Sequence, residues 1–524
     1  MEKRVAIIGA GISGLLACKY TSQKGFNPIL FEAKNEVGGL WTQTLESTRL
    51  QNVKDFFQFS DFPWPSSVKD TFPKNTQLLE YLQSYAQHFQ LLPYIKFNSL
   101  VINIDYVGES DSEDEIQSWE LWGGVGKAFG SKGKWNIKVH DTKEDSIKDY
   151  EFDFVILCTG RFSGLPEIPE FSVGNGPEIF SGKVLHSMDY SAMDNESAKE
   201  LIKGKRIAVI GSGKSAIDLA FECAEANGVD NPCTLIQRTI HWMLPDAQPW
   251  GVSFGFLCFT RFSELLVHKP GEGFLSSFLA TLLSPLRFAI SKFVESYVRW
   301  KLPLKKYNLV PKESFVQEIS SCQILFLPEN FFDKVEQGSI VFKKSQQYSF
   351  CKEGLILDGE SDVLKADIVI FATGYKGDQK LRNMFASPVF QNLIAGSPNS
   401  TIPLYRQMIH PRVPQVAVVG YSESISNLYT FEMRCKWLSF FLDETFGLPR
   451  IKEMEEDIEE WDKYMKRYAG NGKFRRSCLG GAHIWYYDQL CKDIGCNPRR
   501  KKGFFSDLFE PYGLPDYNGI GPGL

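Results

Sequence analysis

One short pattern occurs twice in this chain, about 200 residues apart, and it limits the fold more than any other feature. Each copy is an apolar run, a glycine-rich turn, a helical stretch and a second apolar run. In the first copy Val5-Ala6-Ile7-Ile8 leads into Gly9-Ala10-Gly11-Ile12-Ser13-Gly14, and Ile29-Leu30-Phe31 ends at Glu32. In the second, Ile207-Ala208-Val209-Ile210 leads into Gly211-Ser212-Gly213-Lys214-Ser215-Ala216, and Thr234-Leu235-Ile236-Gln237 ends at Arg238. A GxGxxG string alone is weak evidence. Between a strand and a helix, with a charged residue closing the next strand, it predicts a β-α-β unit with a parallel sheet.

The turn chemistry points to dinucleotides. The first glycine permits the tight turn, the second lets the backbone approach a pyrophosphate, and the third, or Ala216 in its place, lets helix and strand pack closely. The helix N-terminus offers unpaired N–H groups to the anion. Glu32 follows Gly11 at about the expected 20 residues. Its carboxylate suits ribose hydroxyls and repels a 2′-phosphate, which fits FAD or NAD. Arg238 can clasp the 2′-phosphate of NADP, with Lys214 as a further cation. Two sites of opposite 2′ preference imply transfer of reducing equivalents from NADPH to FAD.

Composition narrows the remaining classes. At roughly 150 residues per domain, 524 residues suggest about three domains. With 58 basic against 63 acidic residues, the chain has no global attraction to nucleic acid. Eleven cysteines without framework spacing predict a reducing compartment and no disulfide scaffold. Cys491 and Cys496 read as a chance pair. Only Cys18 lies between the first turn and Cys158, so a disulfide reductase is disfavoured. Met1-Glu2-Lys3-Arg4 runs straight into the first strand, without a secretory signal. His241 and His410 have no metal-ligand spacing. The apolar stretch from Phe274 to Ile290 contains Pro285 and Arg287 and falls short of the ~20 residues of a membrane span. It reads as a helix packed on protein or a lid, with membrane-surface contact as the competing account. Residues 108–117 are acidic and 123–133 glycine-rich, a solvated insertion between strands. Residues 453–468 read as a helix with acids early and bases late.

Phe180-Ser181-Gly182-Lys183-Val184-Leu185-His186-Ser187-Met188-Asp189-Tyr190 matches FxGxxxHxxxY in full. By this motif the chain resembles the class B flavin monooxygenases, and more narrowly the plant-type flavin-containing monooxygenases. Further family-like stretches are Gly38-Gly39-Leu40-Trp41, Ser60-Asp61-Phe62-Pro63, Thr159-Gly160, Phe371-Ala372-Thr373-Gly374-Tyr375, and Val416 to Gly420 followed by Tyr421. Two departures matter. Tyr190 stands where Baeyer-Villiger relatives carry Trp, and Gln51, followed by Asn52, stands where many members carry Asn.

The resemblance implies that Gly9, Ala10, Gly11, Ile12, Ser13, Gly14, Glu32, Gly39, Leu40, Trp41, Thr159 and Gly160 serve FAD. Gly211, Ser212, Gly213, Lys214, Ser215, Ala216 and Arg238 would serve NADPH, with Thr373 and Gly374 also at the cofactors. Gln51, Asn52 and Tyr375 would lie near the reacting oxygen, and His186 would belong to an inter-domain hinge. The implied reaction is reduction of FAD by NADPH, addition of O2 to give a C4a-hydroperoxyflavin, and N-oxygenation of a small amine or alkaloid. Within the family the chain resembles plant amine oxygenases, including the defence-related clade that N-hydroxylates pipecolic acid. S-oxygenation of a thioether, Baeyer-Villiger oxygenation and an uncoupled NADPH oxidase are the alternatives.

The expected fold is α/β with two Rossmann-like domains, the NADPH domain inserted into a discontinuous FAD domain, and a helical C-terminal extension. The expected boundaries are 1–165 and 326–430 for FAD, 166–325 for NADPH with a Phe-rich helical insertion at about 250–305, and 431–524 for the extension. Expected partners are an amine substrate and O2, without nucleic acid or a transmembrane segment, in a monomer or homodimer. The expected location is cytoplasmic, with peripheral contact to the endoplasmic reticulum membrane as an option.

Overall fold

The apolar runs flanking the two turns become inner strands of two separate five-stranded sheets. The first has the order Val416–Val418, Phe154–Leu157, Val5–Ile8, Ile29–Phe31, Ile95–Lys96, with every neighbouring pair parallel. The second has the order Ile340–Lys344, Cys233–Gln237, Ile207–Ile210, Ile368–Phe371, Lys183–His186, again all parallel. Parallel neighbours need a crossover, and the helices Ile12–Gln23 and Lys214–Asn227 supply it after each turn. Strands covered on both faces read as continuous apolar runs. Val5–Ile8, Phe154–Leu157, Ile207–Ile210 and Ile368–Phe371 are accordingly buried at every residue.

The computed structural model describes residues 3–108, 112–468 and 475–523. Met1, Glu2 and residues 109–111 of the acidic stretch lie outside them. The rest of that stretch forms a short helix, Glu113–Ser118, which anchors through buried Ile116 between the strands Ser99–Val107 and Lys134–Asp141.

The strand pairing moves one expected boundary. Ile340–Lys344 and Ile368–Phe371 join the second sheet, so the chain leaves that sheet after Phe371 and not at residue 325. Val369 pairs with Ala208 on one side and Val184 on the other, a long-range register that composition does not encode. The chain passes between the sheets twice, and the two passages touch. Pro166 bridges to Tyr375, and the Glu167 N–H donates to the Gly374 carbonyl at 2.9 Å.

Behind the first sheet, the helix Asn427–Leu442 packs against Ile12–Gln23 and His483–Ile494. It carries fully buried Glu432, which accepts from Tyr20 Oη at 2.7 Å and pairs with Lys436 at 3.1 Å. Lys19 pairs with Asp61 at 2.5 Å, and Ser60 donates its N–H to Glu432 at 3.0 Å. The Ser60-Asp61-Phe62-Pro63 stretch is thus fastened to the buried charges of Lys19 and Glu432.

One disulfide qualifies the expectation of a reducing compartment without a disulfide scaffold. Cys322 and Cys478 are bonded, with Cα atoms 6.3 Å apart, across 156 residues of sequence. Spacing gave no hint of it because the fold, not a local framework, brings the pair together. Cys491 and Cys496 are both free thiols.

The Phe-rich insertion forms the helices Phe254–Cys258, Arg261–Leu265, Phe274–Leu282 and Ser284–Lys301. Among the described residues no single helix is long and apolar enough to cross a membrane.

One buried ring in the C-terminal helices makes stability pH-dependent. His483 is 1% exposed, sits 5.0 Å from Phe259 and 5.8 Å from Tyr487 by ring centroids, has Glu264 Oε1 3.6 Å from its Nδ1, and among the described residues neither ring nitrogen has a hydrogen-bond partner. Burial pushes its pKa down to about 3. Between the ordinary value of about 6.5 and that depressed value, the unfolded chain binds one proton more than the folded one. The stability is therefore full above about pH 6.5 and falls as pH drops, by about 2 kcal/mol at pH 5 for this group. His483→Phe is expected to lose about 2 kcal/mol less than the parent between pH 7 and pH 5, measured by urea unfolding. An unchanged loss would refute the assignment.

Candidate active site

The first turn is built around two crowded glycines. Gly9 has φ +102°, and a Cβ there would stand 2.7 Å from the Cys158 carbonyl oxygen. A Cβ on Gly14 would collide with the Gly9 carbonyl oxygen. The helix that follows is capped by Gly11 without any side-chain hydrogen bond, so its first N–H groups remain open to an anion. Glu32 is buried and accepts from the Ala10 N–H at 2.6 Å and the Lys34 N–H at 2.9 Å, bracing the turn from the end of the second strand. The Gly38 N–H donates to the Ala10 carbonyl at 3.0 Å, which lays Gly39 against Gly11. Thr159 and Gly160 continue the neighbouring strand. The Thr159 carbonyl accepts from Lys380 Nζ at 2.6 Å.

A cleft of about 1850 Å³ draws its walls from both sheets' loops. It brings together Leu40, Trp41, Gln51 and Asn52 with Gly211, Ser212, Gly213, Lys214, Ser215 and Arg238, and with Thr373, Gly374 and Tyr375. Gly9, Gly11, Gly14, Glu32, Gly39, Thr159, Gly160 and Ala216 lie off its lining, around or beneath the two turns.

The second turn fits a phosphate-bearing nucleotide at the level of single residues. A Cβ on Gly213 would meet nothing within 4 Å, and the helix starting at Lys214 has no side-chain cap. Arg238 is exposed at the end of its strand, and among the described residues its guanidinium has no hydrogen-bond or ion-pair partner. Its backbone carbonyl is held by Gln346 Nε2 at 2.9 Å. Lys214 is differently placed than as a cation free beside Arg238. Its ammonium is paired with fully buried Asp218 at 2.5 Å, and Asp218 also accepts from Thr48 Oγ1 at 2.7 Å. Lys214 therefore ties the second turn to the loop that carries Gln51 and Asn52.

Those two amides point to opposite walls. Asn52 Nδ2 donates to the Ile425 carbonyl at 2.7 Å, and Gln51 Oε1 accepts from the Phe326 N–H at 3.4 Å. Tyr375 meets His186 edge to face at 5.5 Å, and burial raises its phenol pKa. His186 Nδ1 accepts from the Met188 N–H at 3.1 Å, capping the helix Ser187–Ser191. Thr373 Oγ1 donates to the Glu167 carbonyl across the two passages between sheets.

Sequence reasoning missed three groups. Lys380 lies on the short helix Gly377–Arg382, donates also to Ser163 Oγ at 2.9 Å, and burial pushes its pKa down to about 8 against the opposing effect of Glu32. Glu423 lines the cleft at 9% exposure. Arg475 binds one of its carboxylate oxygens, while Oε1 is buried without a hydrogen-bond partner among the described residues. His241 and Glu318 pair at 3.0 Å on the same cleft. None carries a motif. The only local signal was the position of Glu423 just past the late strand and Gly420.

The sequence model of the flavin-binding monooxygenase-like family matches residues 2–509. Probable flavin-containing monooxygenase 1 of Arabidopsis thaliana is 42% identical over 521 residues, covering 98% of this chain and 96% of the relative. Among solved structures, an open form of cyclohexanone monooxygenase superposes with a TM-score of 0.64 at 16% identity, covering 94% of this chain and 97% of its own. S-allyl-L-cysteine S-oxygenase of Allium sativum gives 0.58 at 17%, covering 95% and 89%. At these identities the two structures establish the fold alone. On the family match and the plant relative, the chain belongs to the flavin-binding monooxygenase-like family and is an oxidoreductase, a flavin monooxygenase.

Proposed function

We propose that the chain uses NADPH and O2 to N-oxygenate a small or alkaloid amine. The observation that carries the amine reading is Glu423. A nine-tenths-buried carboxylate on the cleft wall, with one oxygen held by Arg475 and the other unsatisfied, is a natural counter-charge for an ammonium. A ketone or thioether offers it nothing.

On this reading Gly11, Ile12, Ser13 and Gly14 present backbone N–H groups to the FAD pyrophosphate, Gly9 and Ala10 set the turn with their own N–H groups tied to the Phe31 carbonyl and to Glu32, Glu32 takes the ribose, and Gly39, Leu40, Trp41, Thr159 and Gly160 border the rest. Gly211, Ser212, Gly213, Ser215 and Ala216 hold the NADPH pyrophosphate. Arg238 takes the 2′-phosphate, and Lys214 fixes the turn through Asp218. Bound FAD, once reduced by NADPH, supplies the oxygen-activating chemistry. The chain's residues orient and shield. The Gln51 and Asn52 amides and the Tyr375 hydroxyl line the space where substrate meets cofactor, while Phe254, Phe259 and Phe326 keep the wall apolar and limit water. Oxygen transfer uses the nitrogen lone pair, so an amine held as its ammonium first gives up a proton, for which the Glu423 carboxylate that binds it is the acceptor at hand.

Mass spectrometry of products from an amine, a thioether and a ketone, each supplied with NADPH, tests the reading. A gain of one oxygen on nitrogen is expected. A sulfoxide or ester as the sole product, or stoichiometric H2O2 with no oxygenated product, would overturn it. Glu423→Gln is expected to raise KM for the amine about tenfold, the cost of one charge-assisted contact, while flavin reduction by NADPH alone is unchanged.

A further inference from the structure

The Cys322–Cys478 bond closes across the cleft. Cys322 follows the helix Phe315–Ser320, whose Phe315 and Ile319 pack in the core of the second sheet. Cys478 and Leu479 pack in the core of the first. Cys322 is half-buried and lines the cleft in one wall with Glu318 and His241, whereas Cys478 is 2% exposed. Cys478 forms a parallel bridge with Glu423 of the other wall. There the Glu423 N–H donates to the Ser477 carbonyl at 3.2 Å, and the Leu479 N–H donates to the Glu423 carbonyl at 2.8 Å. Arg475, which holds the Glu423 carboxylate, lies just before Cys478 on the same segment. The bond is therefore a covalent strap between the wall of Glu318 and the wall of Glu423. Beside it Gly480 is packed so closely on the Ser320 carbonyl oxygen that a Cβ would collide.

The same placement suits thiol exchange. A thiolate entering the cleft can bond to Cys322 Sγ, and as the S–S bond breaks its electron pair leaves on Cys478 Sγ. The Gly480 N–H points to that sulfur at 3.2 Å and stabilises it as a thiolate. With a dithiol, the second thiolate then attacks the mixed disulfide, Cys322 leaves, and the two protons of the dithiol pass to the released sulfurs. The enzyme disulfide is reduced and the dithiol is oxidised to its own disulfide. The same exchange run backwards recloses the strap without any other oxidant. Among the described residues Cys258 is the other cysteine on the cleft lining, and burial pushes its pKa up to about 12, so it stays a thiol and does not compete.

We propose that Cys322–Cys478 is a reversible thiol–disulfide switch of the cleft, opened by a dithiol. Closed, it keeps the two walls together and water out; open, it lets the segment of Arg475 and Glu423 move from the facing wall and water enter. The proposal rests on the reading of NADPH as the reductant and not on the choice of amine. The full-length, FAD-loaded protein is incubated with dithiothreitol or with its oxidised form, freed of reagent and divided. One part is unfolded in iodoacetamide and digested, and Cys322 and Cys478 are expected to be alkylated after the reduced reagent only, with the flavin still bound before unfolding. A second part receives NADPH and O2, and the opened enzyme is expected to release at least about threefold more H2O2 per NADPH than the closed one. A third part is followed by hydrogen exchange, which needs no turnover, and residues 315–322 and 475–480 are expected to exchange faster when the bond is open. C322S/C478S is expected to match the opened enzyme and to ignore dithiothreitol. The proposal is overturned if the pair stays bonded in the folded enzyme under dithiothreitol, or stays open under the oxidised form. It is equally overturned if hydrogen exchange and H2O2 release are the same in both states, or if the double variant still responds; should that variant not fold, the two states of the parent decide. Faster exchange without NADPH oxidation in either state would uphold the strap and refute the reading of NADPH as the reductant.

Discussion

Gly14→Ala is expected to purify nearly colourless, with FAD bound at least about 100-fold more weakly, a loss of about 3 kcal/mol. The added Cβ would collide with the Gly9 carbonyl oxygen. Gly9 has little room to yield, because its own backbone is held at φ +102° against Cys158 and its N–H is bonded to the Phe31 carbonyl at 2.8 Å. The start of the helix Ile12–Gln23 must then lift from the strand, taking the anion-binding N–H groups with it. The second turn supplies the control. It already has Ala216 at the matching position, so Ala216→Gly is expected to keep NADPH binding close to that of the parent. A stoichiometrically yellow Gly14→Ala protein would show that the first turn is not the phosphate site.

Arg238→Ala is expected to lower kcat/KM for NADPH by roughly 30- to 150-fold, about 2–3 kcal/mol, and to leave kcat/KM for NADH nearly unchanged. Among the described residues the guanidinium has no partner to mask the effect, so its removal deletes a ligand contact and little else. Flavin reduction under anaerobic conditions with each nucleotide gives the ratio directly. A ratio equal to the parent's would place the 2′-phosphate elsewhere.

What was legible in the sequence was what is local in it. The turns at Gly9–Gly14 and Gly211–Ala216, their strands and their closing charges lie within about 30 residues of chain, the length of one β-α-β unit. Ile368–Phe371 was readable as a strand but not as a member of the second sheet, because its partners Ile207–Ile210 and Lys183–His186 lie far back in the chain. The Cys322–Cys478 bond and the Glu423–Arg475 pair were hidden for the same reason. Lys214 was legible as a cation beside a turn. Its partner Asp218 stands one helical turn on, and four-residue spacing alone did not say whether the ammonium would face the ligand or its own helix. The Phe-rich insertion showed a different limit. Apolar residues at helical spacing fit a buried stripe and an outward one equally well, and only the packed neighbours decide.

The closing strand of the first sheet has a consequence for synthesis. Val416–Val418 pairs with Phe154–Leu157, so that edge stays uncovered while the ribosome adds about 260 further residues, roughly 10 to 50 s at ordinary elongation rates. During that interval the nascent chain already holds the first phosphate turn, beside an apolar strand with an open edge of the kind that pairs with other chains. Demand for holding chaperones in the cell should therefore peak after residue 157 emerges and end once residue 418 does, whatever the stability of the finished enzyme.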